Sequence, residues 1–404
     1  MNIPIEFSQA AVAAAPGNAV APYAAFHTSG EPYRSLIRNN PWTRVPAAKD
    51  ALEWGQGWYY DTTVGRKHAH WKTQALPRET KDVVALRRDF YQWGYCLIED
   101  GVSADQCARM RARVEDQAAA ERALGIAHMA PAQQHLWALV NKGADFVGCM
   151  THEPASVQSG ALIELLVDES LGAGWNHLSF IANISYPGCH PQGLHQDQSL
   201  IAPYHFAGAP VLVNTVYILQ DVNELNGGTL IVPGSHRLQN EDGEFGAIPP
   251  PINLEAKAGT IMLMDGRVLH GGAVNRSAAL RYILTNSVVK PWIRQQENFL
   301  LTVSPEVLRH ANEKFLWRAG FQATAGRSMV EGYGYFGNGK AGDPNGSLVH
   351  VRRAMDDGGY RHVGELSMNR LDEVDLTKFT LTQIQRHETA RTDDYKARLK
   401  AIGA

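Results

Sequence analysis

Cysteine is scarce in this chain of 404 residues: there are 4, at Cys96, Cys107, Cys149 and Cys189, with no CxxC pair among them. A chain of this length needs no covalent staples to hold a core, so free thiols in a reducing, cytoplasmic setting are the expectation. An excess of charge of one sign is also lacking. Lys+Arg 38 against Asp+Glu 41 leaves a formal charge of -3, and no basic block is interleaved with aromatics. That removes the electrostatic footprint of phosphate-backbone binding and argues against a nucleic-acid partner. Long apolar runs are missing too. The Ala-rich stretch 8–26 is interrupted by Pro16, Asn18 and Pro22, and the first positive charge is Arg34. Neither a secretory leader nor a membrane span is expected there.

What is present suits a folded globule, because 44% hydrophobic residues can bury a sizeable core. Residues 1–80 have little periodicity but carry Trp42, Trp54, Trp58, Tyr59, Tyr60 and Trp71, which predicts an arm packed across a main domain rather than a disordered tail. Val84, Leu86, Phe90 and Trp93 lie near helical spacing. Gly94 ends that pattern, 95–98 reads as a strand, and a second helix starts from Ser103. A further helix is expected at 161–171. Strands follow at 178–186, 211–220, 228–233, 259–265 and 280–289, each bounded by Gly, Pro, Asn or Asp. Short strands with no helices between them predict an antiparallel sandwich or barrel. Beyond Trp292, 304–318 reads as helical, 332–347 as a Gly-rich loop and 376–402 as a charged terminal helix. There is no internal repeat and no second self-sufficient core. The expected organisation is an arm at 1–80, a core with leading helices at 81–295 and an extension of the same domain at 296–404.

His195-Gln196-Asp197 places an imidazole and a carboxylate two residues apart, and in an extended strand such residues project from one face. By itself the pair is weak, since a chain with 16 His and 20 Asp gives about one such pair by chance. His270 adds to it by following the strand-like run that ends at Met264-Asp265-Gly266. Two histidines and a carboxylate on one side of a metal leave positions open for co-substrate and O₂, as in non-haem iron(II) oxygenases, whereas zinc prefers a closed tetrahedral set. Arg281 lies on the next strand, with Ile283 and Thr285 on its face. A guanidinium there can take a carboxylate bidentately, although an arbitrary strand Arg is more often an exterior salt-bridge partner.

The ordered set resembles the phytanoyl-CoA dioxygenase family of iron(II)/2-oxoglutarate enzymes. The residues that carry the resemblance are Pro187-Gly188, Gln192, His195-x-Asp197, Asn226-Gly227-Gly228-Thr229, Val232-Pro233-Gly234-Ser235-His236, Asp265-Gly266, His270-Gly271-Gly272, Asn275-Arg276 and Arg281. With the opening at 82–123, it covers roughly residues 82–295. The resemblance implies a mainly β fold with flanking helices, a double-stranded β-helix or cupin-like jelly-roll barrel. It implies iron(II) held by His195, Asp197 and His270, 2-oxoglutarate as co-substrate with Arg281 on its far carboxylate, and O₂ as oxidant. Thr229 and Gln192 match positions that assist 2-oxoglutarate in relatives, or they serve the core and a turn. Relatives that halogenate carry a small residue in place of the carboxylate ligand, so Asp197 disfavours halogenation.

The implied reaction is oxidation of an unactivated C–H bond, hydroxylation by default, with release of succinate and CO₂. Desaturation, epoxidation and cyclisation share the same residues. An acyl-CoA would call for a basic cluster, but Arg34, Arg38, Arg66 and Lys67 are scattered. A small or medium, largely apolar substrate is expected, and a homodimer follows from the frequency of symmetric dimers. The alternative is a non-catalytic jelly roll that binds a metal or ligand and leaves Arg281 without work. His236 reads as structural beside its Pro-Gly turn. His190 and His205 read as loop residues, and Cys189 reads as a small buried hydrophobe.

Overall fold

Asp82 starts the first helix by accepting a hydrogen bond from Val84 N at 2.9 Å. Helix α1 (Val83–Trp93) then runs to Gly94, whose φ of 79° is left-handed and closes the C-terminus by donating to Phe90 O. Gly94 also has no room for a Cβ, because Val268 and His236 press against it. The computed structural model describes residues 43–44, 59–60, 69–130, 133–187, 192, 194–200, 208–238, 249, 251–273, 275, 277–321 and 364–375. Most of the expected aromatic arm, the Gly-rich stretch 332–347, the terminal helix at 376–402, and His190, His205 and Cys189 lie outside the described residues.

Around α1, the chain forms β1 (Glu79–Thr80) and β2 (Tyr95–Ile98), then α2 (Ala104–Ala123). Ser103 and Gln106 make a reciprocal capping box at the start of α2, as the helix expected from Ser103 requires. Next come β3 (His128–Ala130), β4 (Gln133–Leu136), α3 (Ala144–Thr151), α4 (Gly160–Leu171) and β5 (Asn176–Ser185). After these follow β6 (Leu212–Ile218), β7 (Thr229–Ile231), β8 (Ile252–Asn253), β9 (Ile261–Asp265), β10 (His270–Gly272) and β11 (Arg281–Val289). The stretch 304–318 is two helices, α5 (Pro305–His310) and α6 (Glu313–Arg318). They are separated because Asn312 caps the second, accepting from Phe315 N at 2.8 Å.

The large sheet has the order β1-β2-β9-β6-β11-β5-β4-β3, and the small one β8-β7-β10. All neighbours are antiparallel except β1 and β2, which makes the large sheet mixed. His195 extends the small sheet by bridging to His270. From β5 to β11 the chain therefore visits large, small, large, small, small, large, small and large sheet in turn. This palindrome is the jelly-roll winding, realised as two facing sheets rather than a closed barrel.

Period-two alternation sorts the side chains. In β9, Ile261 and Leu263 face outward into a core shared with Met110 and Val114 of α2 and Ile163 and Leu166 of α4. Met262 and Met264 face inward with Tyr95, Leu97, Val216, Ile218 and Ile283, against Ile231 and Ile252 of the small sheet. β6 is buried on both faces along its whole length, its polar residues Asn214 and Thr215 included. Among the described residues, no helix is long and apolar enough to cross a membrane.

Candidate metal centre and its inner wall

The backbones of His195 and His270 exchange two hydrogen bonds, His195 N to His270 O at 2.9 Å and the reverse at 3.0 Å. The two rings are thereby brought to 4.5 Å between centroids. His270 is not the end of β9 but the first residue of a separate strand, β10. The intervening turn is built by Asp265, whose carboxylate accepts from Arg267 N at 2.9 Å and pairs with the Arg267 guanidinium at 2.7 Å. That turn presents Val268 O to His270 Nδ1 at 3.0 Å. A ring that donates from Nδ1 keeps the lone pair on Nε2.

Asp197 opens a short 3-10 turn, Asp197–Leu200. Its Oδ1 lies 3.3 Å from His195 Nε2 and its Oδ2 3.4 Å from His270 Nε2. One ligand atom from each of the three residues fits within 4.8 Å of the others. Burial alone would raise the Asp197 carboxyl, but the His270 and His195 imidazoles outweigh it and hold the group well below the ordinary carboxylate range. The side chains of His195 and Asp197 keep 21% and 24% of their surface exposed, so one side of the cluster stays accessible. For ligand bonds of about 2.1 Å, adjacent corners of an octahedron lie about 3 Å apart, and the 3.3 Å between Asp197 Oδ1 and His195 Nε2 is close to that.

Arg281, expected as a carboxylate ligand, begins β11 and is 2% exposed. It is not an exterior salt-bridge residue. Its Nη2 donates to Ser185 Oγ at 2.5 Å, and Gln133, Ser185 and Arg281 form one row across β4, β5 and β11. By register this row shares the inner face with Ile283. Asn275 braces the entry to β11, donating from Nδ2 to Ser185 O and Ala279 O.

Gln192 and Thr229 meet at Gly272. Gln192 N donates to Gly272 O at 2.8 Å, Gly272 N donates to Gln192 Oε1 at 2.8 Å, and Thr229 is the register partner of Gly272. A Cβ at Gly272 would stand 3.1 Å from Gln192 Oε1 and 3.3 Å from Gln133 Nε2. The same position therefore links Gln192 to the row that holds Arg281. Gly272 lies two residues beyond His270 on β10, about 7 Å at strand rise, so these groups stand next to the imidazoles.

Sequence reasoning missed Gln133, His135, Asn183 and Ser185, all on this inner wall by register. β3 is only three residues long and β4 (QQHL) is mostly polar, so neither has an apolar alternation to announce it. His135 is pushed down to about 4 by burial and by neighbouring His128, so its ring is neutral at ordinary pH. His236 is structural, as expected. It is buried, its Nε2 donates to Tyr91 O at 3.1 Å, and burial lowers it to about 4. Cys96, Cys107 and Cys149 are free and buried. Burial raises all three thiols, Cys107 to about 11, which leaves them inert.

The family model described as phytanoyl-CoA dioxygenase (PhyH) matches residues 90–283. Among curated relatives, dioxygenase FrzG of Cladobotryum sp is 26% identical over 252 residues, 55% of this chain and 78% of that protein. Dioxygenase aneA of Aspergillus aculeatus is 32% identical over 130 residues, 31% of this chain and 43% of that protein. Multifunctional dioxygenase prhA of Penicillium brasilianum is 28% identical over 163 residues, 38% of this chain and 54% of that protein. Two of these three matches thus span about half the relative's length. Solved structures with distant likeness include the non-heme alpha ketoglutarate dependent carbocyclase SnoK from nogalamycin biosynthesis. Its TM-score is 0.41 at 17% identity, covering 55% of this chain and 90% of that one. HygX from Streptomyces hygroscopicus, solved with nickel, 2-oxoglutarate and hygromycin B bound, has a TM-score of 0.40 at 13% identity, covering 52% and 87%. Over residues 90–283 the chain is thus similar to the phytanoyl-CoA dioxygenase family, and the curated relatives it matches are dioxygenases.

Proposed function

We propose that this protein uses iron(II), 2-oxoglutarate and O₂ to hydroxylate an unactivated C–H bond of a small or medium organic molecule, releasing succinate and CO₂. The observation that carries this reading is the accessible cluster of two imidazoles and one carboxylate, within 4.8 Å, in one jelly roll with a buried inward-facing guanidinium. His195, Asp197 and His270 are the proposed metal ligands. The donor set is two nitrogens and one oxygen, and among the described residues no fourth His, Cys, Asp or Glu joins it. That suits an open-sided iron site better than a closed structural zinc site. The bound metal would supply the oxidative chemistry, and the chain supplies position and exclusion of water.

Each residue then has a stated task. His270 is fixed by its Nδ1 donation to Val268 O and presents Nε2. Arg281 would take the far carboxylate of 2-oxoglutarate through its guanidinium fork, already oriented by Ser185. Gln192 and Thr229, on either side of Gly272, would hold the same molecule nearer the metal. The wall beside them mixes Ile218 and Ile283 with His135 and Asn183, and so fits a mainly apolar substrate that carries an oxygen function.

The second reading, a non-catalytic metal-binding jelly roll, accounts for the three ligands but leaves the buried Arg281 without a role. Anaerobic titration of the iron(II)-loaded protein with 2-oxoglutarate separates the two. The oxygenase reading expects a weak visible charge-transfer band that needs far more 2-oxoglutarate in Arg281→Ala. Iron-replete protein with no band would favour the non-catalytic reading.

A further inference from the structure

The Asp197 carboxylate has a second set of contacts that the proposed reaction does not use. Asn214 on β6 donates from Nδ2 to Asp197 Oδ2 at 2.7 Å. On the neighbouring strand, Ser287 is the register partner of Asn214, and its Oγ donates to Asn214 Oδ1 at 2.6 Å. Asn214 is 1% and Ser287 7% exposed, and both stand among apolar positions, including Val213, Val216 and Val288. Polar groups in such a place are costly unless bonded. The order of donors is forced. An ionised carboxylate only accepts, so the Asn214 amide must turn its NH₂ to Asp197, and its carbonyl then needs a donor, which the Ser287 hydroxyl provides. The chain is therefore directional, from Ser287 through Asn214 to Oδ2. Oδ1, 3.3 Å from His195 Nε2, has no part in it.

We propose that Asn214 and Ser287 are a positioning pair that anchors Asp197 through Oδ2, so that it meets the metal through Oδ1 alone and leaves one more coordination position for small ligands. The proposal rests on His195, Asp197 and His270 being the metal ligands. Neither member of the pair touches the reacting atoms. They act by keeping the carboxylate from swinging to a two-oxygen grip. Loss of a group that orients a ligand costs about 10–100-fold in metal affinity.

Cobalt(II) is the probe, because its visible absorption weakens as coordination number rises, so it reports the carboxylate's grip independently of turnover. Full-length wild type, Asn214→Ala, Ser287→Ala, Ser287→Thr and His270→Ala would be titrated with cobalt(II), with iron(II) affinity measured by chelator competition and metal-free melting temperature as the folding control. Asn214→Ala is expected to lose about 10–100-fold in affinity and to show a weaker cobalt spectrum. Ser287→Ala should follow it in part, and Ser287→Thr, which keeps the hydroxyl, should restore wild-type values. If Asn214→Ala does not fold, the contrast between Ser287→Ala and Ser287→Thr decides. Folded variants with wild-type affinity and spectrum overturn the pair alone. Wild type that binds no cobalt, or His270→Ala that binds it equally well, overturns the metal-site reading and the pair with it.

Discussion

Arg281 shows how much one side chain can decide. A guanidinium held 2% exposed, with Tyr282, Ile283 and Leu284 following it in the strand, is an expensive arrangement. In the proposed reading it binds the far carboxylate of 2-oxoglutarate. Hydrogen bonds to charged groups contribute about 1.5–3 kcal/mol, so Arg281→Ala is expected to weaken 2-oxoglutarate binding by roughly 10–100-fold. Arg281→Lys should recover only part of this, because an ammonium restores the charge but not the two-pronged fit. Calorimetric titration of the metal-loaded variants with 2-oxoglutarate checks both, and equal affinity in wild type and Arg281→Ala would remove this residue from the site. Sequence pattern could place Arg281 at the start of a strand and mark its apolar neighbours. It could not say that Ser185 and Gln133 stand beside it, since strand register is not written in any one segment.

At the level of elements, α2 was legible because its capping box is local: Ser103 and Gln106 are three residues apart and satisfy each other's backbone. Ser103→Ala is expected to cost about 1 kcal/mol, read as a lower urea midpoint with unchanged slope. The corner after β4 was not legible. There Glu297, 7% exposed, reaches back to accept from Ala138 N at 2.7 Å and Phe180 N at 3.1 Å, tying a left-handed residue (Ala138, φ 53°) to β5. Burial pushes its carboxyl up to about 7, with the two backbone donors and Lys142 opposing in part. Because the folded-state value lies above the usual unfolded one of about 4.3, the folded chain binds this proton more tightly. Glu297 should therefore lower stability as pH rises from roughly 4.5 to 7 and have no further effect above that. Glu297→Gln does not titrate and should flatten this part of the curve. Unfolding of the two proteins in urea at pH 5 and pH 8 tests it, and equal pH slopes would place the titration elsewhere.

For the molecule as a whole, the candidate metal site joins parts distant in sequence, since β10 meets the segment carrying His195 while Asp197 is tied to β6 and, through Asn214, to β11. A metal bound only by the folded state adds about 2.7 kcal/mol at a hundredfold excess over its dissociation constant. Iron(II) or cobalt(II) is thus expected to raise the melting temperature, a chelator to reverse the rise, and His270→Ala to abolish it. Anaerobic scanning calorimetry measures this, and a metal-induced rise that survives His270→Ala would locate the binding outside the cluster.

The sequence by itself determined the β-rich core, its leading helices and the residues of the candidate site. These rest on local signals: alternation along strands, glycine and capping residues at ends, and an ordered run of motifs. Tertiary structure alone decided that His195 pairs with His270, that Gln192 and Thr229 converge on Gly272, and that β3 and β4 extend the large sheet with Gln133 and His135 on its inner face. It also set the Ser287–Asn214–Asp197 chain. The physical reason is that these contacts depend on pairing between segments tens of residues apart, and the free energy that selects one register comes from burying both faces of the assembled sheets at once.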